Sequence, residues 1–185
     1  DGATFAGGAY FDGATFAGNA DFVKAHFADD ADFRGAHFAD DADFGGAAFT
    51  RGAYFGGAQF ADDAYFAGGA YFRGATFTGN ADFRGAHFAG ETDFDGVTFA
   101  GGADFCGAAF TGVANFGGAK FSGSAAFSRI QGQPSFRFEE CKFNEKFRGA
   151  YVWGPIPTGN DGLPAGAAWE DFPEEDDKDG GTTSR

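Results

Sequence analysis

The sequence predicts an all-β fold, a β-solenoid in which very short strands stack along one axis. Three observations lead there: a phenylalanine rhythm from Phe5 to Phe127, an alanine two places before nearly every ring, and turn-forming residues in each gap. The 23 phenylalanines of this stretch are spaced 6, 5, 6, 5 with a single fault, so the period is eleven residues in two unequal halves. The bias of the whole chain, 28 Phe and 33 Gly with no Met in 185 residues, follows from this repetition.

Each half reads A-x-F, as in Ala3-Thr4-Phe5, Ala9-Tyr10-Phe11 and Ala125-Ala126-Phe127. Alternation of this kind, bounded by Gly, Asp and Asn, is a strand signal, because successive side chains leave a strand on opposite sides. Ala and Phe then face inward and the middle residue outward. Helix is the poorer reading, since spacings of 5 and 6 scatter Phe around a 3.6-residue turn, and interior Gly costs about 1 kcal/mol relative to Ala. A three-residue strand is not stable alone, so the chain must coil and stack each strand on an equivalent one about 4.8 Å away. Burial of each Phe, worth about 1.5 to 3 kcal/mol, drives the coil.

The phrase A-[D/T/Y/H]-F-x-x, carried by residues 3 to 127, closely resembles the pentapeptide-repeat family. The resemblance implies a right-handed quadrilateral β-helix with the central Phe and the preceding Ala pointing inward. This chain departs from the family pattern in carrying an extra turn residue in every other unit. Two geometries honour its eleven-residue period. Four units can close a coil of 22 residues, or two units can close a flattened coil of 11. The four-sided coil is preferred, because a square cross-section accommodates four Phe and four Ala per layer. The fault lies at Phe60, Phe66 and Phe72, where two six-residue steps follow each other and one short unit is missing. In a solenoid this predicts a shift of all downstream faces by one side.

Three segments follow: residues 1–127 as the solenoid, 128–157 as a C-terminal cap, and 158–185 as an acidic, largely disordered tail. The cap is expected to cover the last Phe layer with Tyr151, Trp153 and Ile156, because a solenoid end otherwise exposes rings and a strand edge. Within the tail, Trp169 and Phe172 offer the one expected contact. No run of about 20 apolar residues is present, so no membrane span is expected in this stretch, and the absence of Met suggests a trimmed N-terminus. Cys106 and Cys141 fit a reducing, cytoplasmic compartment.

The solenoid carries 16 Asp+Glu against six Lys+Arg, within a chain of net charge -14. That sign disfavours direct nucleic-acid binding, which relies on Lys and Arg neutralising phosphates, and suits a partner with a basic surface. Asp29 and Asp30, Asp40 and Asp41, and Asp62 and Asp63 repeat the phrase ADDA at three long corners. Such pairs can contribute oxygens to Ca²⁺, which takes six to eight, or can serve the turns through side-chain hydrogen bonds. The glycine-rich calcium-binding signature of other β-helices is absent, which favours turns and no metal. His26, His37 and His87 stand outward without ligand spacing, and Tyr10, Tyr54, Tyr65 and Tyr71 share that outward position. No nucleophile is accompanied by a base in a recognisable phrase, and no phosphate loop precedes a helix, so neither catalysis nor a cofactor is expected.

The expected function is therefore a non-enzymatic protein-interaction module. The family resemblance implies a sharper version, in which an acidic rod imitates duplex DNA in the groove of a type II topoisomerase such as DNA gyrase. The outward aspartates Asp21, Asp32, Asp43, Asp82, Asp93 and Asp104 would then stand in for phosphates. Asp32 and Asp43 in particular stand mid-strand, where turn formation does not account for them. The resemblance also implies a homodimer joined end to end through a C-terminal element. The alternatives are a scaffold or spacer within a larger, membrane-anchored or multidomain protein, and a Ca²⁺-dependent surface protein.

Overall fold

The computed structural model describes residues 2–62, 64–66, 71–88, 90–132 and 134–172. They form a parallel β-solenoid whose register settles the size of the coil. Thr4 pairs with His26 and Phe5 with Phe27, an offset of 22 residues, and the same offset joins Ala9 to Ala31, Thr15 to His37 and Ala20 to Ala42. The coil is therefore four-sided, and the flattened 11-residue version is excluded.

The four faces, numbered in chain order, begin with the strands Thr4–Phe5, Ala9–Tyr10, Thr15–Phe16 and Ala20–Asp21. The third face is the longest ladder, eight strands, and the fourth has six. Inside, the Phe columns stack along the axis: Phe16 lies 4.7 Å from Phe38 at 2°, and Phe38 lies 4.7 Å from Phe60 at 3°. Across the core the rings turn edge to face, as between Phe33 and Phe44 at 5.4 Å and 85°. Both geometries bring the positive edge or an offset face of one ring to the negative face of another. Ala31, Ala36 and Ala42 are fully buried beside them. A larger residue there would have to displace a ring.

Two-residue corners follow the second and fourth faces. At the first of them Ala14 donates to the Phe11 carbonyl at 3.0 Å, and Gly13 takes φ 63°, the geometry of a type II turn. The positive φ explains the Gly of the RG, GG and DG corners. Lys24 holds the same place with φ 55°, without glycine's freedom.

The fault is resolved differently from the sequence expectation. Gln59 pairs with Thr76 and Ala64 with Ala81, so this coil advances by 17 residues, and the second-face residue Tyr54 bridges to Tyr71. The downstream faces do not shift. One side is skipped, and the first face divides into two three-stranded ladders, with no strand in this coil among the described residues. The reason is the unequal corners. Three-residue corners lead into the second and fourth faces and two-residue corners into the first and third; a one-side shift would set every long corner over a short one. Skipping one short unit keeps like over like, at the cost of a single rung.

The ladder continues past Phe127. Ala109 pairs with Gln131, Ala114 with Phe136 and Lys120 with Lys142, so 128–144 add most of a further coil. A 3-10 segment, Glu145–Ala150, then leads to Tyr151, whose hydroxyl accepts from the Asn144 N–H at 3.0 Å and lies 3.1 and 3.0 Å from the Phe121 and Gly123 carbonyls. Trp153 stacks on Phe127 at 5.7 Å and meets Phe143 edge-on at 4.9 Å. The segment expected to be disordered is folded as far as Phe172: Ala168–Glu170 pairs with Lys142–Asn144, and the Arg148 guanidinium lies 5.0 Å over the Trp169 ring. The rest of the predicted tail, residues 173–185, lies outside the described residues.

Candidate functional site

The outward position of each A-x-F unit forms a column along its face. On the fourth face this column runs Asp21, Asp43, Tyr65, Asp82, Asp104 and Ala126. On the second face, opposite, it runs Tyr10, Asp32, Tyr54, Tyr71, with Asp93 and Asn115 beyond. The six candidate aspartates thus divide four to two between opposite sides of the rod. No single partner surface lying flat on one face reaches all of them.

Each of the six has a structural task that the sequence reading did not give it. The Asp21 carboxylate accepts the Val23 N–H at 2.9 Å, Asp32 that of Arg34 at 3.0 Å, and Asp43 that of Gly45 at 2.7 Å. Asp82, Asp93 and Asp104 accept from Arg84, Asp95 and Cys106 in the same way, at 2.9, 3.0 and 2.8 Å. These are Asx bonds that fasten the entry to each two-residue corner. Asp32 and Asp43, read from sequence as free of any turn role, have one. The physical reason is the strand's brevity: its middle residue is only two places from the corner.

Asp32 and Asp82 are also neutralised. Arg34 folds back over Asp32, its Nε 2.9 and 3.0 Å from the two carboxylate oxygens and its Nη2 on Oδ2. Asp32 is only 5% exposed, and the Arg34 side-chain bond is the main cause holding its carboxyl below the usual carboxylate range. Arg84 engages Asp82 in the same bidentate fashion, with Nε at 3.0 and 2.9 Å. Burial acts to raise the Asp82 pKa, but the bonds and charge of Arg84 outweigh it and the carboxyl titrates low. The signal was present as the phrase Asp-Phe-Arg, which occurs at residues 32–34 and 82–84. The remaining fourth-face carboxylates, Asp21, Asp43 and Asp104, are at least partly exposed, with Arg84 Nε 3.9 Å from Asp104.

The long-corner aspartates also separate. Asp29 and Asp30 lie at the entry to the second face, where Arg51 approaches Asp29 at 3.4 Å and Asp30 accepts the Gly52 N–H at 3.2 Å. Asp40, Asp41 and Asp62 stack at the entry to the fourth face, with one carboxylate oxygen of each within 4.8 Å of the others. One oxygen from each supplies three of the six to eight that Ca²⁺ takes, and the Asp41 N–H bonds Asp40 at 3.1 Å as a turn requires. Asp63 lies outside the described residues. His26 and His37 occupy different faces, and His26 Nε2 lies 3.1 Å from Thr50 Oγ1 on the next coil. Cys141 is fully buried, which pushes its thiol pKa far up, while Cys106 Sγ lies 3.0 Å from Ser128 Oγ.

One feature was not anticipated. At the last coil the first face reads Ile130-Gln131-Gly132 in place of A-x-F, and the missing ring leaves an apolar cleft of about 360 Å³ lined by Ile130, Gly132, Phe136 and Phe138 with four prolines. A Cβ at Gly132 would lie 2.2 Å from the Phe110 carbonyl, so the ladder itself demands glycine there. No helix among the described residues is long and apolar enough to cross a membrane.

Fold and surface together define an acidic β-solenoid repeat protein. The chain belongs to the pentapeptide-repeat family: the model of pentapeptide repeats (9 copies) matches residues 1–37, 22–70, 61–108 and 72–120. No curated protein sequence matches the chain. Among solved structures, trypsin-treated QnrB1, described as a plasmid-mediated fluoroquinolone resistance protein, aligns over 92% of this chain and 92% of its own, with 16% identity and a TM-score of 0.30.

Proposed function

We propose that the chain is a non-enzymatic interaction module that presents its fourth face to the basic surface of a protein. The observation that supports this reading is the column Asp21, Asp43 and Asp104, held at fixed strand spacing by the ladder and by the Asx bonds of each side chain. Carboxylates held this rigidly give up little conformational entropy on binding, and their negative charge steers a basic partner toward the face.

The sharper form of the proposal is imitation of DNA in the groove of a type II topoisomerase such as gyrase. Strand spacing sets Asp21 and Asp43 about 4.8 Å apart, against about 3.4 Å of helix axis per charge of one DNA strand, so the likeness is one of sign and straightness. Supercoiling by purified gyrase, with and without a quinolone, tests it. Inhibition or protection at micromolar protein, lost in the triple variant Asp21→Asn, Asp43→Asn, Asp104→Asn, is the expected result. No effect of the unsubstituted protein overturns the gyrase form. The wider form is overturned if binding to every basic partner tried is unchanged in the triple variant. A scaffold role is the second reading, favoured by the unbroken eight-stranded third face, which makes the rod stiff whatever its surface binds.

A further inference from the structure

The second face differs in kind from the acidic fourth. Tyr10 is 72% exposed, Tyr54 37% and Tyr71 40%, with the Tyr54 and Tyr71 rings stacked at 5.6 Å and 15°. The rings of Tyr10 and Tyr54 lie down over the corner: a Cβ built on Gly8 or Gly52 would come within 2.6 or 2.3 Å of the tyrosine hydroxyl that follows. Where the column holds Asp32 and Asp93, the residue two places earlier is Asp30 or Glu91. Glycine therefore accompanies tyrosine on this face, and the rings lie over the glycine corners on either side of Asp32. Three of the rod's four arginines, Arg34, Arg51 and Arg73, lie on this face or its corners, each beside an aspartate. Tyrosine and arginine are the residues most enriched where protein interfaces are strongest.

The order of charges along this face is self-complementary in the antiparallel sense. Counting coils from the N-terminal end, Asp12 follows the face in the first coil and Arg73 in the fourth, while Asp29 and Asp30 precede it in the second coil and Arg51 in the third. A two-fold axis crossing the face between the second and third coils, perpendicular to the rod, exchanges these positions. It sets Asp12 against Arg73 of a second copy, Asp29 and Asp30 against Arg51, and Tyr10 against Tyr71. The same operation on the fourth face would set Asp21 against Asp82 and Asp43 against Tyr65, which pairs no aspartate with an arginine at the equivalent rung. We propose that two copies of this chain associate side by side, antiparallel, through the second face, leaving both fourth faces outward.

The footprint is small. Four coils at about 4.8 Å and a side of about 18 Å give roughly 350 Å² per copy, below the roughly 800 Å² of a standard interface. The pair is accordingly weak and is populated only at high protein concentration, and salt lowers its population because its charges lie at the rim.

Two measurements on the full chain test it. The first mixes Asp12→Cys protein with Arg73→Cys protein at about 100 µM and adds a short bis-maleimide linker. Covalent dimer should form several-fold faster in the mixture than in either variant alone, which also controls for Cys106 and Cys141. Equal rates overturn the proposed register. The second follows sedimentation of Asp12→Arg, Arg73→Asp and the double variant. Each single change should reduce the dimer about tenfold and the double change should restore it. A monomer at every concentration up to about 500 µM, or a dimer indifferent to all three variants, overturns the proposal; the latter result would point to end-to-end contact. Both residues are exposed corner positions, so the fold should survive each change, and circular dichroism confirms that it has.

Discussion

Phe94→Ala is the most direct test of how the rod is held together. Phe94 is fully buried on the second face, stacked on Phe72 at 5.2 Å and on Phe116 at 4.8 Å, with Phe83 and Phe105 edge-on at 5.5 and 5.4 Å. Truncation removes a ring whose transfer and cavity terms together cost about 3 to 5 kcal/mol in well-packed cores. The layer has little means of collapse, because the strand ladders above and below fix its height. The upper half of that range is therefore expected. Phe5, in the first coil, is only partly buried and stacks on one side, on Phe27 at 4.7 Å. Phe5→Ala should cost about 1 to 2 kcal/mol. Urea unfolding followed by far-ultraviolet circular dichroism gives both values, and the slope of each transition reports whether the array still unfolds as one unit. Equal losses for Phe94→Ala and Phe5→Ala would refute the view that stability comes from rings clamped on both sides.

Three further outcomes follow from single residues. Lys24→Gly should stabilise the protein by about 1 kcal/mol, since a side chain in the left-handed region costs about that much; a lower melting temperature would contradict it. Arg34→Ala should destabilise only slightly at neutral pH, the arginine being largely exposed although its partner is not. The folded pKa of Asp32 is depressed, so this contribution is complete above the unfolded value near 4 and disappears as pH falls through the folded value; urea midpoints of the two proteins should converge once the pH is below that folded value. Tyr151→Phe should cost about 1 to 2 kcal/mol by leaving the Asn144 N–H without its acceptor. Burial pushes the Tyr151 hydroxyl up to about 12, so the unfolded chain ionises first; the parent should lose stability from about pH 10 upward, and Tyr151→Phe should lose less.

The A-x-F phrase was enough to place the strands, the inward Phe and Ala, and the glycine corners, because each follows from period-two geometry acting on residues next to one another. The 22-residue coil was legible as a packing preference and became certain only with the Thr4 to His26 register. The outcome of the fault at Phe66 was not legible in the rhythm, which counts sides, whereas corner lengths decide which side is omitted. The aspartates misled for a different reason. Outward-pointing was read as available, yet Asp32 is wrapped by an arginine two places away in the sequence. That contact needed no long-range knowledge, only the recognition that a corner returns residue i+2 to the side of residue i. The cleft beside Gly132 and the strand Ala168–Glu170 were not legible, since both depend on how the chain crosses the end of the rod.

The 17-residue coil resembles an edge dislocation in a crystal, with one incomplete layer and perfect lattice on either side. Such a defect has a practical consequence for how arrays of this kind change length. Deleting a five-residue unit would scramble every column if the chain had to preserve its winding. Because the lattice terminates one quarter-layer instead, the columns on the other three faces pass through the defect in alignment, as Gln59 over Thr76 and Ala64 over Ala81 show. A gene can thus lose fifteen nucleotides from the middle of the rod without erasing the surface pattern beyond them.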